Sequence, residues 1–469
     1  MKKFISIILC CAFLFACVCI PSSAAEGKTV LYLNYGDITV DEYGICGYDI
    51  NGEYVYDDNP LGYVITQKNP KKTIDKGITV SSGKCSIELL NLNIKRFDEY
   101  NCAFSTENDA EVTVTLTGEN HLVSGTYRAG LEVGIDSTVT VNGDGTLYAQ
   151  SSLQAGIGGG NGQSNGMLVI DSGTIYATGG IDGYSAGIGG GSSGSGGSIT
   201  INGGYICATG GMYASGIGGG FMCGGNITVN GGVVTAIGGA GGAGIGGGYL
   251  TNGVTDVVIN GGSVKAVAGT NADSIGNGYK TKTAFAGVHD SDGNTVSLVT
   301  LSVGDFRSIY VNGIDTVPMT VLHPDDDKLY LYAGSAEKIV TVYMNDGSVN
   351  FFKVTDNGVT QLYPYAGVRC EDRLITDGSV TVADGFSVSE DNDLIYNSLR
   401  VDAFTPALRG DMNFDGSLNS MDAVIINCVV SGMLTDNLTV KLSDADGNGT
   451  VNSDDADLMK QYGVGGDNR

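Results

Sequence analysis

The hexapeptide AGIGGG occurs at 155–160, 186–191 and 243–248, and SGIGGG at 215–220. The first glycines, Gly156, Gly187, Gly216 and Gly244, are 31, 29 and 28 residues apart. A near-constant period of this size is the signature of stacked structural repeats. The intervening segments fall into register too. LVIDSGTIYATGG (168–180), ITINGGYICATGG (199–211), ITVNGGVVTAIGG (227–239) and VVINGGSVKAVAG (257–269) align, and VTVNGDGTLYAQS (139–151) joins them with one inserted residue.

Each unit contains three short stretches of alternating pattern, divided by glycine and asparagine turns, with no helical periodicity. Ile199-Thr200-Ile201 becomes Ile227-Thr228-Val229 and then Val257-Val258-Ile259. Ile175-Tyr176-Ala177 becomes Ile206-Cys207-Ala208, Val234-Thr235-Ala236 and Val264-Lys265-Ala266. The outer positions are constant and apolar while the middle one varies, which reads as inward, outward, inward. Three such strands per winding, stacked at ~4.8 Å, predict a right-handed parallel β-helix. In it the isoleucine of GIGGG is a core rung, and the column Asn142, Asp171, Asn202, Asn230, Asn260 is expected at a corner that needs a left-handed backbone. The outward glycines either leave a smooth strip or allow close packing of coils. Weaker versions of the pattern precede it, at ITVSSGKCSIELLNLNI (78–94), VTVTLTGENHLV (112–123) and AGLEV (129–133), and DSIGNGY (273–279) is expected to be the last coil.

Around this core the chain is read as five segments. Residues 1–25, with Lys2-Lys3, an apolar run from Phe4 to Ile20 and PSSAA, predict a secretory signal peptide. Residues 26–70 are expected to be a β-rich N-terminal cap, 71–300 the β-helix, 301–400 a β-rich cap or small sandwich, and 401–469 a separate C-terminal module. No later segment is long and apolar enough to span a membrane. The formal net charge is −26, so the chain has no basic footprint for nucleic acid. Beyond the leader there are seven cysteines, an odd number without metal-ligand spacing, which argues against a disulfide framework or a zinc site.

The C-terminal module carries DMNFDGSLNSMD (411–422) and DADGNGTVNSDD (444–455). Both are twelve-residue loops with oxygen ligands at positions 1, 3 and 5, glycine at 6 and a carboxylate at 12, the spacing that wraps hard oxygens around Ca²⁺. The first set is Asp411, Asn413, Asp415, Ser417 through its carbonyl, Asn419 and Asp422. The second is Asp444, Asp446, Asn448, Thr450, Asn452 and Asp455. Each loop runs into an apolar helix candidate. This duplicated loop-plus-helix, with aspartate at position 12, resembles a type I dockerin over about residues 408–465. The resemblance implies two calcium ions that fold the module. It further implies docking onto a cohesin module of a scaffoldin, and hence an extracellular, cell-surface-associated complex. Cohesin choice would involve loop positions 10 and 11, here Ser420-Met421 and Ser453-Asp454. The two pairs differ, which argues against symmetric two-way docking.

The coils of 71–285 resemble the clostridial carbohydrate-binding β-helix family, related in fold to pectate lyases. That resemblance implies binding to plant cell-wall polysaccharide, with calcium sites on the helix in some members. With no tryptophan in the chain, stacking on sugar faces falls to tyrosine. Tyr148 and Tyr176 share an outward column, and Tyr213, Tyr249 and Tyr279 lie near the glycine-rich corners. A polysaccharide lyase is the alternative, with Arg128, Lys265, Lys280 and Lys282 as candidate bases and Glu132, Asp136 and Asp273 as acids. The three histidines, His121, His289 and His323, are isolated and suggest no triad. A third reading is an adhesin-like spacer.

Overall fold

The computed structural model describes residues 27–253, 255–282, 284–317, 323 and 326–465. The leader expected at 1–25 lies outside them. Three parallel sheets wind around one core. The first has nine strands, from Thr29–Tyr32 through Lys84–Leu90 to Asp256–Ile259. The second has seven, from Asn93–Lys95 to Ser263–Val267. The third runs from Ile38–Asp41 to Ile275–Gly276 and is extended at one end by the antiparallel strands Gly44–Tyr48 and Tyr54–Asp57. The windings thus begin at residue 29. Residues 27–70 are the opening coil of the β-helix plus a lateral hairpin, where a separate cap was expected over 26–70. Their rungs, Leu31 and Ile65, align with Leu89 although no glycine period announces them.

Inward residues stack directly over one another. Ile157, Ile188, Ile217 and Ile245 form one fully buried column. Leu168, Ile199, Ile227 and Val257 form a second, and Ile175, Ile206, Val234 and Val264 a third. Burying each aliphatic side chain contributes about 1.5–3 kcal/mol, so a winding with four or five of them holds its neighbours strongly. The core is continuous from Leu31 to Val264.

The corners separate two tasks that the sequence left merged. The asparagine column is a side-chain ladder, in which Asn202, Asn230 and Asn260 each donate Nδ2–H to the Oδ1 below (on Asp171, Asn202 and Asn230) at 2.7 Å. The left-handed backbone falls two residues later, on Gly204, Gly232 and Gly262, with φ of +87°, +82° and +80°. The expectation that asparagine itself takes that conformation is corrected here. The glycines at 156, 187, 216 and 244 are not an open strip either. A Cβ on any of them would approach neighbouring backbone to 2.5–2.7 Å, so their smallness allows coil-on-coil contact.

Beyond the last coil, Phe285, Val288 and Tyr332 close the open end of the core. A five-stranded sheet from Phe306–Val311 to Gly358–Leu362 follows, with the Lys338–Met344/Val349–Thr355 hairpin turning at Gly347. Together with the strand pair Ser297–Ser302/Lys328–Ala333 it packs on the outer face of the second sheet, on Tyr205, Val233 and the edge of Tyr176. Two three-stranded sheets come next. Thr405–Leu408 pairs with Arg373–Thr376, so the β region runs to residue 408, past the boundary expected between residues 400 and 401. Three helices complete the described chain: α1 (Ser420–Val430), α2 (Asn437–Ser443) and α3 (Ser453–Gly465). α1 and α3 pack around Ala423, Ile426, Ala456 and Met459, together with Cys370 and Ile375 from the preceding sheet. All seven cysteines of the described chain are free thiols.

Candidate functional site

The two acidic loops have nearly superposable local bonding. In the first, the buried Asp422 carboxylate accepts from Met412 N (2.8 Å) and Asn419 N (2.9 Å). In the second, Asp455 accepts from Ala445 N and Asn452 N, both at 2.8 Å. Position 1 behaves alike, since Asp411 accepts from Gly416 N at 2.8 Å and Asp444 from Gly449 N at 3.0 Å. Asn413 and Asn448 hydrogen-bond to Asp415 and Asp446. Ser417 and Thr450 are held by their own N–H groups on Asp415 and Asn448, and Asn419 caps α1 in a capping box with Asp422.

In the second loop the carboxylates converge beyond what the peptide N–H groups balance, with Arg409 Nη1 3.7 Å from Asp444 Oδ2. Carboxylate oxygens of Asp444, Asp446 and Asp455 lie within 4.8 Å of one another. Asp444 Oδ1 is buried and accepts no hydrogen bond among the described residues. In the first loop burial and the neighbouring Asp411 charge raise the Asp422 pKa, against the pull of its backbone donors. A buried acceptor left over among gathered negative charges fits a hard divalent cation and fits little else. The loop-10 and loop-11 residues Ser420, Met421, Ser453 and Asp454 are all exposed at the first turns of α1 and α3.

The tyrosines divide between two faces. Tyr148 and Tyr176 are register neighbours on the outer face of the second sheet, with rings 5.0 Å apart and 8° from parallel. His121 extends the stack at 4.6 Å. Further along, the same column, Cys207, Thr235 and Lys265, is covered by the β region, so that only the first rungs of this ladder are open. Tyr213, Tyr249 and Tyr279 gather elsewhere, beside the third sheet. Tyr213 and Tyr249 are 5.0 Å apart and Tyr249 and Tyr279 5.7 Å. Two residues that sequence reasoning missed complete this group. Tyr184 lies 5.7 Å from Tyr213, and Phe221 is parallel to Tyr249 at 6.0 Å. The missed signal was positional. Phe221, Tyr249 and Tyr279 each follow the last glycine of their motif, so they share one slot in successive coils. Lys280 lies over the Tyr249 and Tyr279 rings.

The candidate lyase bases are not brought together. Lys265 is paired with Asp326, while Lys280 and Lys282 are exposed on the last corner, with Asp273 bonded to its own loop at Asn277 N. Arg128 is clamped by Glu132 through Nε–Oε2 and Nη2–Oε1, both at 2.9 Å, with Asp136 exposed nearby. Burial disfavours the Arg128 charge, but Glu132 outweighs it and holds the pKa above the ordinary value. A guanidinium so held keeps its proton. His121 pairs with Glu119 and His289 with Asp256, and His323 is buried between Thr235 and Ser263, so no histidine faces a nucleophile poised for catalysis.

Comparison with known families gives two matches. Residues 139–161, 168–192, 199–221 and 227–249 match the Beta helix repeat, and residues 409–462 match the Dockerin type I domain. No curated protein and no solved structure matches the chain at a significant level. The described fold is mostly β, with its short helices in the second of these matched regions. Type I dockerins bind calcium and take a cohesin as partner in extracellular cellulosomes, and this chain joins such a dockerin to a parallel β-helix of stacked repeats.

Proposed function

We propose that this is a secreted, non-catalytic polysaccharide-binding component of a cellulosome-like complex. The dockerin tethers it to a scaffoldin cohesin, and the β-helix contributes contact with plant cell-wall glycan. Two calcium ions sit in the loops 411–422 and 444–455, on the oxygens of Asp411, Asn413, Asp415, Ser417, Asn419 and Asp422 and of their counterparts Asp444 to Asp455. Docking uses the α1 side. Met421 and Val424 are 61% and 59% exposed there, an apolar pair that water does not favour, whereas α3 offers Ser453, Asp454 and an Asp457–Lys460 ion pair.

One observation carries the carbohydrate assignment. Tyr184, Tyr213, Phe221, Tyr249 and Tyr279 make a continuous chain of ring contacts across successive coils. An outward surface of aromatic rings repeating at roughly the ~4.8 Å coil spacing suits the apolar faces of a sugar polymer. The clamped Arg128 and the scattered lysines argue against proton abstraction. The test is retention of the full chain on insoluble cellulose, xylan and pectin, beside the double variant Tyr213→Ala/Tyr249→Ala. The native chain is retained on at least one polymer and the variant loses roughly tenfold or more of that affinity. Equal retention of both proteins would refute the aromatic surface. Release of an ultraviolet-absorbing unsaturated uronide from pectin with calcium would establish the lyase reading instead.

A further inference from the structure

A second surface, far along the chain from the aromatic stripe, has the composition of a saccharide subsite. On the outer side of the third sheet, a groove of about 890 Å³ runs past Tyr100, Tyr127, Arg128, Glu132 and Asp136. A smaller hollow of about 280 Å³, lined by Thr79, Arg96 and Ser105, shares Tyr100, Glu107 and Arg128 with it, so the two form one channel across adjacent windings. Thr79, Ser105 and Glu132 are register neighbours and make a polar floor. With Asn161–Ser164 of the next winding, which also line the groove, four windings at ~4.8 Å give it a length of roughly 15 Å.

Three features point to a sugar. Tyr100 and Tyr127 stack at 5.0 Å with an interplanar angle of 29°, and Tyr100 is 67% exposed, so the pair presents an open apolar plate on the channel wall. Beside the plate lies the Arg128–Glu132 pair, whose carboxylate is buried and also accepts from Ala129 N at 3.1 Å. That geometry is fixed before any ligand arrives, and Nη1 of Arg128 has no acceptor among the described residues. A fixed donor and acceptor next to an aromatic plate bind a molecule with one apolar face and a rim of hydroxyls.

The charges select among sugars. Glu132 neutralises Arg128, and Arg96 is taken by Asp37 at 2.7 Å and Asp75 at 3.2 Å. Glu107 and Asp136 also line the channel and form no salt bridge with its arginines among the described residues, which leaves the channel net negative in a chain of net charge −26. A uronate would meet like charge here, whereas a neutral hexose or pentose would not. We infer that the channel past Tyr100, Tyr127 and the Arg128–Glu132 pair binds a neutral glycan chain as a second contact of the same β-helix. The inference rests on the carbohydrate-binding reading above.

Affinity electrophoresis of the full chain in gels containing xyloglucan, mixed-linkage glucan or polygalacturonate tests it. Tyr100→Ala, Tyr127→Ala and Tyr213→Ala/Tyr249→Ala are run beside the native protein. Retardation by a neutral glycan that falls tenfold or more in both Tyr100→Ala and Tyr127→Ala supports the inference. Tyr100 is exposed enough that its loss leaves the fold intact, which keeps the result interpretable. Loss only in the Tyr213→Ala/Tyr249→Ala protein overturns the channel while leaving carbohydrate binding standing. Retardation by polygalacturonate alone, abolished by chelation, overturns the neutral class. No retardation of the native chain in any gel removes the underlying reading as well.

Discussion

In the windings between residues 138 and 276 each coil lays aliphatic side chains on those of the coil below. The loop 444–455 instead gathers three carboxylates within 4.8 Å of one another, and in 411–422 the Asp411 charge bears on the buried Asp422. The first region becomes more stable with every rung added, through contacts that need nothing from solution. The second accumulates repulsion as it folds, and its small core of Ala423, Ile426, Ala456 and Met459 has to offset that. The difference teaches where an ion is part of the fold. A cation at a thousandfold excess over its Kd adds about 4 kcal/mol per site, comparable to what a module of this size holds in total. Chelating calcium from the full chain is therefore expected to abolish the α-helical circular dichroism and all cohesin binding. The thermal transition of the β-helix should not move. Asp455→Ala should give the same result in the presence of calcium. Cohesin capture that survives chelation would erase the contrast.

The comparison sharpens within the helix. Gly218 has φ +129°, and a Cβ there would meet Gly246 O at 2.1 Å, in a column where neither coil can give way. Gly162 also has positive φ, at +69°, but nothing lies within 4 Å of the added carbon. Gly218→Ala should cost roughly 3–5 kcal/mol, from combined backbone strain and overpacking. Gly162→Ala should cost only about 1–2 kcal/mol, from strain alone. Chemical denaturation of the two variants measures the gap. Equal losses would mean that stacked coils yield more readily than close packing implies.

The interior of the helix was legible because a repeat shows the same residue in the same environment several times over. Ile157, Ile188, Ile217 and Ile245 declare their orientation by recurring while their neighbours change. The calcium loops were legible for a different reason, since coordination fixes spacing along a dozen consecutive residues. What escaped was whatever the tertiary path decides. Phe221 shares a repeat slot with Tyr249 and Tyr279, but its 5.4 Å contact with Tyr184, which occupies a different slot, follows only from how the turns fold over one another. The coils at Leu31 and Ile65 carry no GIGGG motif and so read as unrelated strands. Tyr148 and Tyr176 lie in register as their alignment implied, yet the β region settles how much of their column meets water, and it comes more than a hundred residues later.

That junction is where protons enter a structure otherwise built from apolar rungs. His323 reaches from the β region onto the second sheet, with Nδ1 2.8 Å from Thr235 Oγ1 and Nε2 2.7 Å from Ser263 Oγ. Burial disfavours its charged form and outweighs the nearby Asp326, with Lys265 adding to the effect, so its pKa falls to about 4. The unfolded chain would bind that proton near the ordinary histidine value of about 6.5. The stabilisation is thus fully present above pH 6.5 and is lost as pH falls towards 4. At pH 5.5 the loss is about 1.4 kcal/mol. Hydrogen exchange at the amides of Val233–Ile237 and Ser263–Val267 should accelerate over this range, after correction for intrinsic rates, while Ile217 and Ile245 stay protected. In His323→Gln the pH dependence should vanish, because glutamine keeps polar contact without titrating. If the native junction is as acid-resistant as the coils it covers, the helix and its covering region form one cooperative unit and the distinction between them fails.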